Sequence, residues 1–276
     1  MSEQLSSIDR EHSDKHSFWT LAAVGFLAYY VTVMWHEVVG HGSVMYLIGA
    51  RHFILTSTSI DTSDLQAAAQ SVTLGDRLVS MAGSVSNVVL GILLYPLFRV
   101  LCRKNASLTL RLFLWLLMAV GLFIGFIYPV YSGVFGVGDW SDAIESLPHH
   151  ALLRVLGVVI GTLFCIGVVR FFAMRFADFP ENLWRLSLIP YFSAALVFCL
   201  AGLRIPGGGR LMIISAIPAA LIGQSILLFV TPIARRLRVQ APPRKAIPTS
   251  PTAILIALAF VVIILLTAPG VRFTLP

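Results

Sequence analysis

Charge is what this chain has little of. Of its 276 residues, 12% are Asp, Glu, Lys or Arg, about half the share of an ordinary soluble domain, which is roughly a quarter. With 57% hydrophobic residues and a mean hydropathy of +0.86, that shortage excludes a soluble globular protein. No stretch reads as a separate soluble domain, and there is no internal repeat. The only biased tract is a basic, Pro-rich linker from Arg235 to Pro251, whose prolines keep it from being helical throughout. Cysteine is scarce too. Cys102, Cys165 and Cys199 stand singly, which excludes a disulfide framework or a C-x-x-C redox pair. A formal charge of +7 invites a nucleic-acid reading, but the basic residues are scattered through short loops and form no single face.

Long apolar runs are what the chain has in plenty. About seven reach the length of a bilayer-spanning helix: Phe18–Ala50, Thr73–Leu101, Leu108–Val130, Ala151–Phe172, Leu183–Leu203, Leu211–Ile233 and Thr252–Ala268. The expected fold class is all-α, a polytopic membrane helix bundle of about six to seven spans. Residues 1–17 read as a polar N-terminal tail, residues 18–145 as a membrane core and residues 146–276 as accessory spans. The first run is longer than a signal-peptide core and lacks a small-x-small cleavage site, so it is expected to be retained. Between the first two runs, Arg51 to Ile60 is rich in β-branched and aromatic residues and turns polar at Asp61–Asp64, which predicts a short strand or hairpin. With a cytoplasmic N-terminus, 14 of the 20 Lys and Arg fall inside, as the positive-inside rule requires.

Within the first run stands Trp35-His36-Glu37-Val38-Val39-Gly40-His41-Gly42. Two imidazoles and a carboxylate at membrane depth are costly, and such groups mark function. They suit metal-assisted hydrolysis: neutral histidines bind zinc, and a glutamate held off the metal takes a proton from water. The spacing is unusual. In an α-helix, residues i and i+4 lie about 40° apart around the axis but i and i+5 about 140°, so His36 and His41 would diverge. A π-bulge, with hydrogen bonds from i to i+5, restores convergence, and Gly40 is well placed for the distortion. A third ligand must come from elsewhere. Asp139 in Gly136-Val-Gly-Asp-Trp140 is the best candidate, because flanking glycines let a short carboxylate approach a neighbouring element, and Asp142 is the reserve. In the second run, Ala82-Gly83-Ser84-Val85-Ser86-Asn87 combines small residues for close helix packing with one amide that needs buried partners.

Together these segments resemble the site-2 protease family of intramembrane zinc metalloproteases. His36, Glu37, Gly40 and His41 match its H-E-x-x-H helix with one extra residue. Ala82, Gly83 and Asn87 match its Ala-Gly-Pro-x-x-Asn span with Ser84 for proline, and Asp139 matches its later aspartate. The resemblance covers residues 18–145, about half the chain. It implies His36, His41 and Asp139 as zinc ligands, Glu37 as general base, Asn87, Gly83 and Gly40 as supporting residues, and β structure beside the substrate path. It also implies a catalytic helix that starts outside the cell, against the charge bias.

The expected function is that of an intramembrane zinc metalloprotease. Its partners would be membrane-embedded peptide substrates and the lipid bilayer, with no nucleic acid, in a bacterial-type cell membrane. Two alternatives stand beside it: a zinc-dependent membrane hydrolase acting on lipid, and a non-catalytic scaffold of the same fold. A strand edge beside the metal favours peptide, which binds such edges in extended form. A di-iron desaturase would need more histidines than the seven present.

Overall fold

The computed structural model describes residues 2–62, 72–176, 179, 182–205, 217–237 and 247–276, and the side chains from residue 18 onward. The polar Ser63–Asp64 turn, the start of the sixth apolar run and most of the Arg235–Pro251 linker lie outside the described residues.

Helix α1 (Ser2–Met34) runs without a break into a π-helical segment, Trp35–Gly42, and then a short α2 (Ser43–Leu47). Strands β1 (His52–Leu55) and β2 (Ile60–Thr62) form the hairpin expected there. Helices α3 (Leu74–Arg103), α4 (Leu108–Phe135), a short α5 (Asp139–Ile144), α6 (His150–Arg175) and α7 (Leu183–Gly202) follow. After them come α8 (Ile217–Ile222), α9 (Ile226–Arg236), α10 (Pro251–Thr267) and strand β3 (Val271–Thr274). Six helical stretches are long and apolar enough to cross a membrane. The chain is thus an integral multi-pass membrane protein; α10, at 17 residues, is apolar but shorter. Lipid explains the helices, because a backbone in hydrocarbon must satisfy its own hydrogen bonds.

The helix ends are punctuated locally. Thr73 and Asp76 close a reciprocal capping box at the start of α3. The hydroxyls of Ser107 and Ser250 cap α4 and α10, and Pro251 fills the first turn of α10. Helix α4 is apolar on all sides and sits innermost, with two thirds of its most apolar window buried against 17% for α6. Trp115 anchors the core: its ring meets Phe172, Phe176 and Phe179 edge-on at 5.4, 4.8 and 5.8 Å.

The sheet has the order β2-β1-β3, antiparallel throughout, with Phe53 opposite both Thr62 and Phe273. Strand β3, from the far end of the chain, is an element the sequence pattern did not single out. Its Phe273 ring stacks on Phe53 at 5.4 Å. The sheet lies at the end of the bundle where the π segment, α5 and the start of α3 meet.

Candidate metal centre

The π segment is Trp35–Gly42, the stretch between and around the two histidines. Bonding from i to i+5 brings His41 over His36, and their Nε2 atoms lie 3.1 Å apart. Where the segment returns to α-helix, Ser43 donates its hydroxyl to Val39 O at 2.5 Å. Gly40 acts through space, not through an unusual dihedral. A Cβ there would stand 2.5 Å from the Gly83 Cα and 2.8 Å from Ser86 Oγ, so glycine permits the π segment to cross α3. Gly83 answers it from the other side: a Cβ on Gly83 would press on the Nε2 atoms of both histidines. Trp35 ties the crossing, donating from its indole to Ser86 O at 3.0 Å.

Asp139 comes to the pair from α5. Helix α4 ends at Gly136, φ +70°, and Gly138 follows at φ +82°. Both lie in the left-handed region where only glycine is at ease, and the double turn points Asp139 back at the histidines. Its Oδ2 is 3.2 Å from His36 Nε2 and 3.4 Å from His41 Nε2. Burial alone would raise the Asp139 carboxyl, but hydrogen bonds and charge from His36 and His41 outweigh it and hold it below the usual carboxylate range. Trp140, next in sequence, donates to Ser84 Oγ at 2.9 Å and pins α5 to α3. Asp142 is exposed and does not join the group; His36, His41 and Asp139 are the cluster of metal-ligating side chains among the described residues.

These three donors fit zinc. A tetrahedral ion with ligands at about 2.0–2.1 Å separates its donor atoms by about 3.3–3.4 Å, and the separations here are 3.1, 3.2 and 3.4 Å. The outer nitrogens are arranged to suit. His41 Nδ1 bonds Val79 O at 2.6 Å, so that nitrogen carries the proton and Nε2 keeps its lone pair. His36 Nδ1 lies 3.1 Å from the Asn87 amide nitrogen. Asn87 Oδ1 is buried without a hydrogen-bond partner, and a half-turn of the amide would set it on the His36 Nδ1–H. Asn87 can therefore serve either tautomer of His36, donor for one and acceptor for the other.

Glu37 is buried beside the cluster but outside it, accepting a hydrogen bond at Oε2 from the backbone N–H of Ile60, 3.0 Å away. Ile60 opens β2, one of the two edge strands of the sheet, so a strand edge lies against the carboxylate. Sequence reasoning did not single out Tyr128, whose ring packs 5.0 Å from that of His36. It lines a cavity of about 150 Å³ with Tyr131, Gly138, Asp139, Ala219 and Gly223, roomy enough for several waters. Tyr29 donates its hydroxyl to Ala219 O at the wall of that cavity.

No protein-family model matches the chain, and neither a curated protein nor a solved structure matches it.

Proposed function

We propose that this chain is an intramembrane zinc metallopeptidase, a divergent relative of the site-2 proteases. The observation that carries the reading is the set of three donor separations, 3.1, 3.2 and 3.4 Å, produced by a π-helical turn that a six-residue His–His motif requires. Zinc bound there would act as a Lewis acid and make water acidic enough to ionise near neutral pH. His36, His41 and Asp139 would hold it, and their charge sum of one negative leaves the centre cationic. Glu37 takes the proton of the attacking water on Oε1 while Ile60 N–H steadies Oε2, and it then returns the proton to the leaving amine. The β2 edge beside Glu37 supports a peptide over a lipid ester, because an extended chain can hydrogen-bond to a strand edge.

The test is a set of three variants. Glu37→Gln keeps stoichiometric zinc and loses cleavage of a single-span substrate, whereas His36→Ala and His41→Ala lose both. Continued turnover by the Gln variant, or full zinc in both Ala variants, would overturn the reading.

The N-terminus belongs in the cytoplasm of a bacterial-type membrane, with the metal centre towards the outer face. Arg99, Arg103, Lys104 and Arg111 cluster at the α3–α4 turn, away from the centre, and the positive-inside rule supports that side as cytoplasmic. In a background lacking Cys102, Cys165 and Cys199, an impermeant thiol reagent applied to intact cells labels His149→Cys and spares Asn105→Cys. The opposite pattern reverses the orientation.

A further inference from the structure

We propose that the groove between α3, α4 and α6 is a binding site for one anionic phospholipid, held by its phosphate at Arg154. The groove encloses about 570 Å³ and is lined almost wholly by apolar side chains. Its one charged residue is Arg154, in the first turns of α6. One guanidinium nitrogen donates to Ser141 Oγ at 2.8 Å, and Nε is buried with no hydrogen-bond partner. Among the described residues no carboxylate pairs with it. The guanidinium lies against Gly136, where α4 ends. The carbonyl end of that helix offers partial negative charge, which leaves most of the cation's charge unneutralised.

The shape selects the occupant. Along α6 the groove runs from Arg154 past Gly157 and Gly161 to Phe164, about 15 Å at 1.5 Å per residue. That is one leaflet of a hydrocarbon core about 30 Å thick. Phe164 stacks on Phe126 at 4.6 Å at the far end of that lining. A cation at headgroup depth above a one-leaflet apolar slot matches a phosphate with an acyl chain beneath it, whereas a transmembrane peptide would run on through both leaflets. Trp140 and Ser84, joined by their hydrogen bond, form the wall facing the metal centre. His36, His41 and Asp139 are not among the lining residues, so this lipid is a resident ligand and not the substrate.

The experiment is native mass spectrometry of the full-length chain in detergent, titrated with dioleoyl-phosphatidylglycerol or dioleoyl-phosphatidylcholine. The wild type retains one phosphatidylglycerol, about fivefold more readily than phosphatidylcholine, the preference expected when one basic residue meets a net anionic headgroup in place of a zwitterionic one whose choline offsets the phosphate. Soluble glycerol phosphate does not displace it. Arg154→Gln abolishes the preference. Gly157→Leu blocks both lipids, since a Cβ there meets Pro129 at an ordinary 3.6 Å and the added side chain fills the slot. That variant leaves Arg154 in place and decides the matter even if the Gln variant does not fold. Zinc content stays at the wild-type level in both. An unchanged preference in Arg154→Gln, undiminished retention in Gly157→Leu, displacement by glycerol phosphate alone, or a second copy of the chain in place of lipid would each overturn the proposal.

Discussion

The first span holds two regions that differ in kind. From Phe18 to Met34 it is an ordinary α-helix, burying Leu21, Val24, Phe26 and Tyr29 among apolar neighbours. From Trp35 to Gly42 the same rod is π-helical and buries His36, Glu37 and His41. The first part buries only neutral hydroxyls, those of Thr20, Tyr29 and Thr32, each with one hydrogen-bond partner, and otherwise needs shape complementarity. The lower part must find a partner for every polar group it buries: His41 has Val79 O, His36 has Asn87, and Glu37 has Ile60 N–H. The difference shows why one extra residue is tolerated in one region of a helix. Where α3, β2 and α5 already hold the side chains, the backbone between them can absorb a residue without turning them aside.

The largest expected effect comes from the neighbour that leaves room for this arrangement. In Gly83→Ala the new methyl would press on both Nε2 atoms and push the π segment off α3. A flexible tip could give way, but both imidazoles are buried and tethered at Nδ1. Zinc content should fall to background while helicity by circular dichroism persists. Stoichiometric zinc in that variant would mean that the histidines do not converge where α3 passes them.

Next in size is Asn87→Ala. Removing a partner of a ligating histidine costs metal affinity by about 10- to 100-fold. It also leaves His36 Nδ1 unpaired in the bundle, which costs about 1–3 kcal/mol of stability. Competition against a chelator of known affinity measures the first effect. An affinity within twofold of wild type would reduce Asn87 to helix packing, the plainer role that its small neighbours suggest.

Much of this centre was legible in the residues, for definable reasons. The spans could be read because lipid leaves helices as the economical backbone. The π-turn could be anticipated once the two histidines were taken to share one metal: six residues from His36 to His41 converge only if the helix is locally rewound. The β-branched run from His52 predicted the hairpin. Strand β3 was not legible, since Val271–Thr274 is four residues long and pairs with β1 more than 200 residues away, and its pairing leaves no local mark. Nor was the contact of Tyr128 with His36, because one tyrosine in an apolar helix looks like any interfacial aromatic. Gly83 was read as a helix-packing residue and a motif match. That it faces the two imidazoles depends on the angle at which α3 crosses the first span, which sequence does not encode locally.

The smallest expected effect is the sharpest test of the two-region contrast. Deleting Val39 leaves His-Glu-Val-Gly-His, with the histidines four apart, where a plain α-helix brings them to the same face. Val38 and Val39 are each 41% exposed, so the deletion removes no core side chain. Because the π-turn had absorbed the extra residue, α1 above it and α2 below it should keep their faces. Zinc should remain stoichiometric, with an affinity close to that of the wild type. Deleting Val31 from the α-helical part is the matched control. There no bulge exists to take up the change, so the deletion turns the preceding helix by about 100° and draws it in by about 1.5 Å relative to the centre. That rotation takes Phe26 and Tyr29 out of register with Phe198, against which both rings pack. If the Val39 deletion loses zinc as thoroughly as the Val31 deletion does, the π-turn is not what reconciles the six-residue motif with three converging ligands.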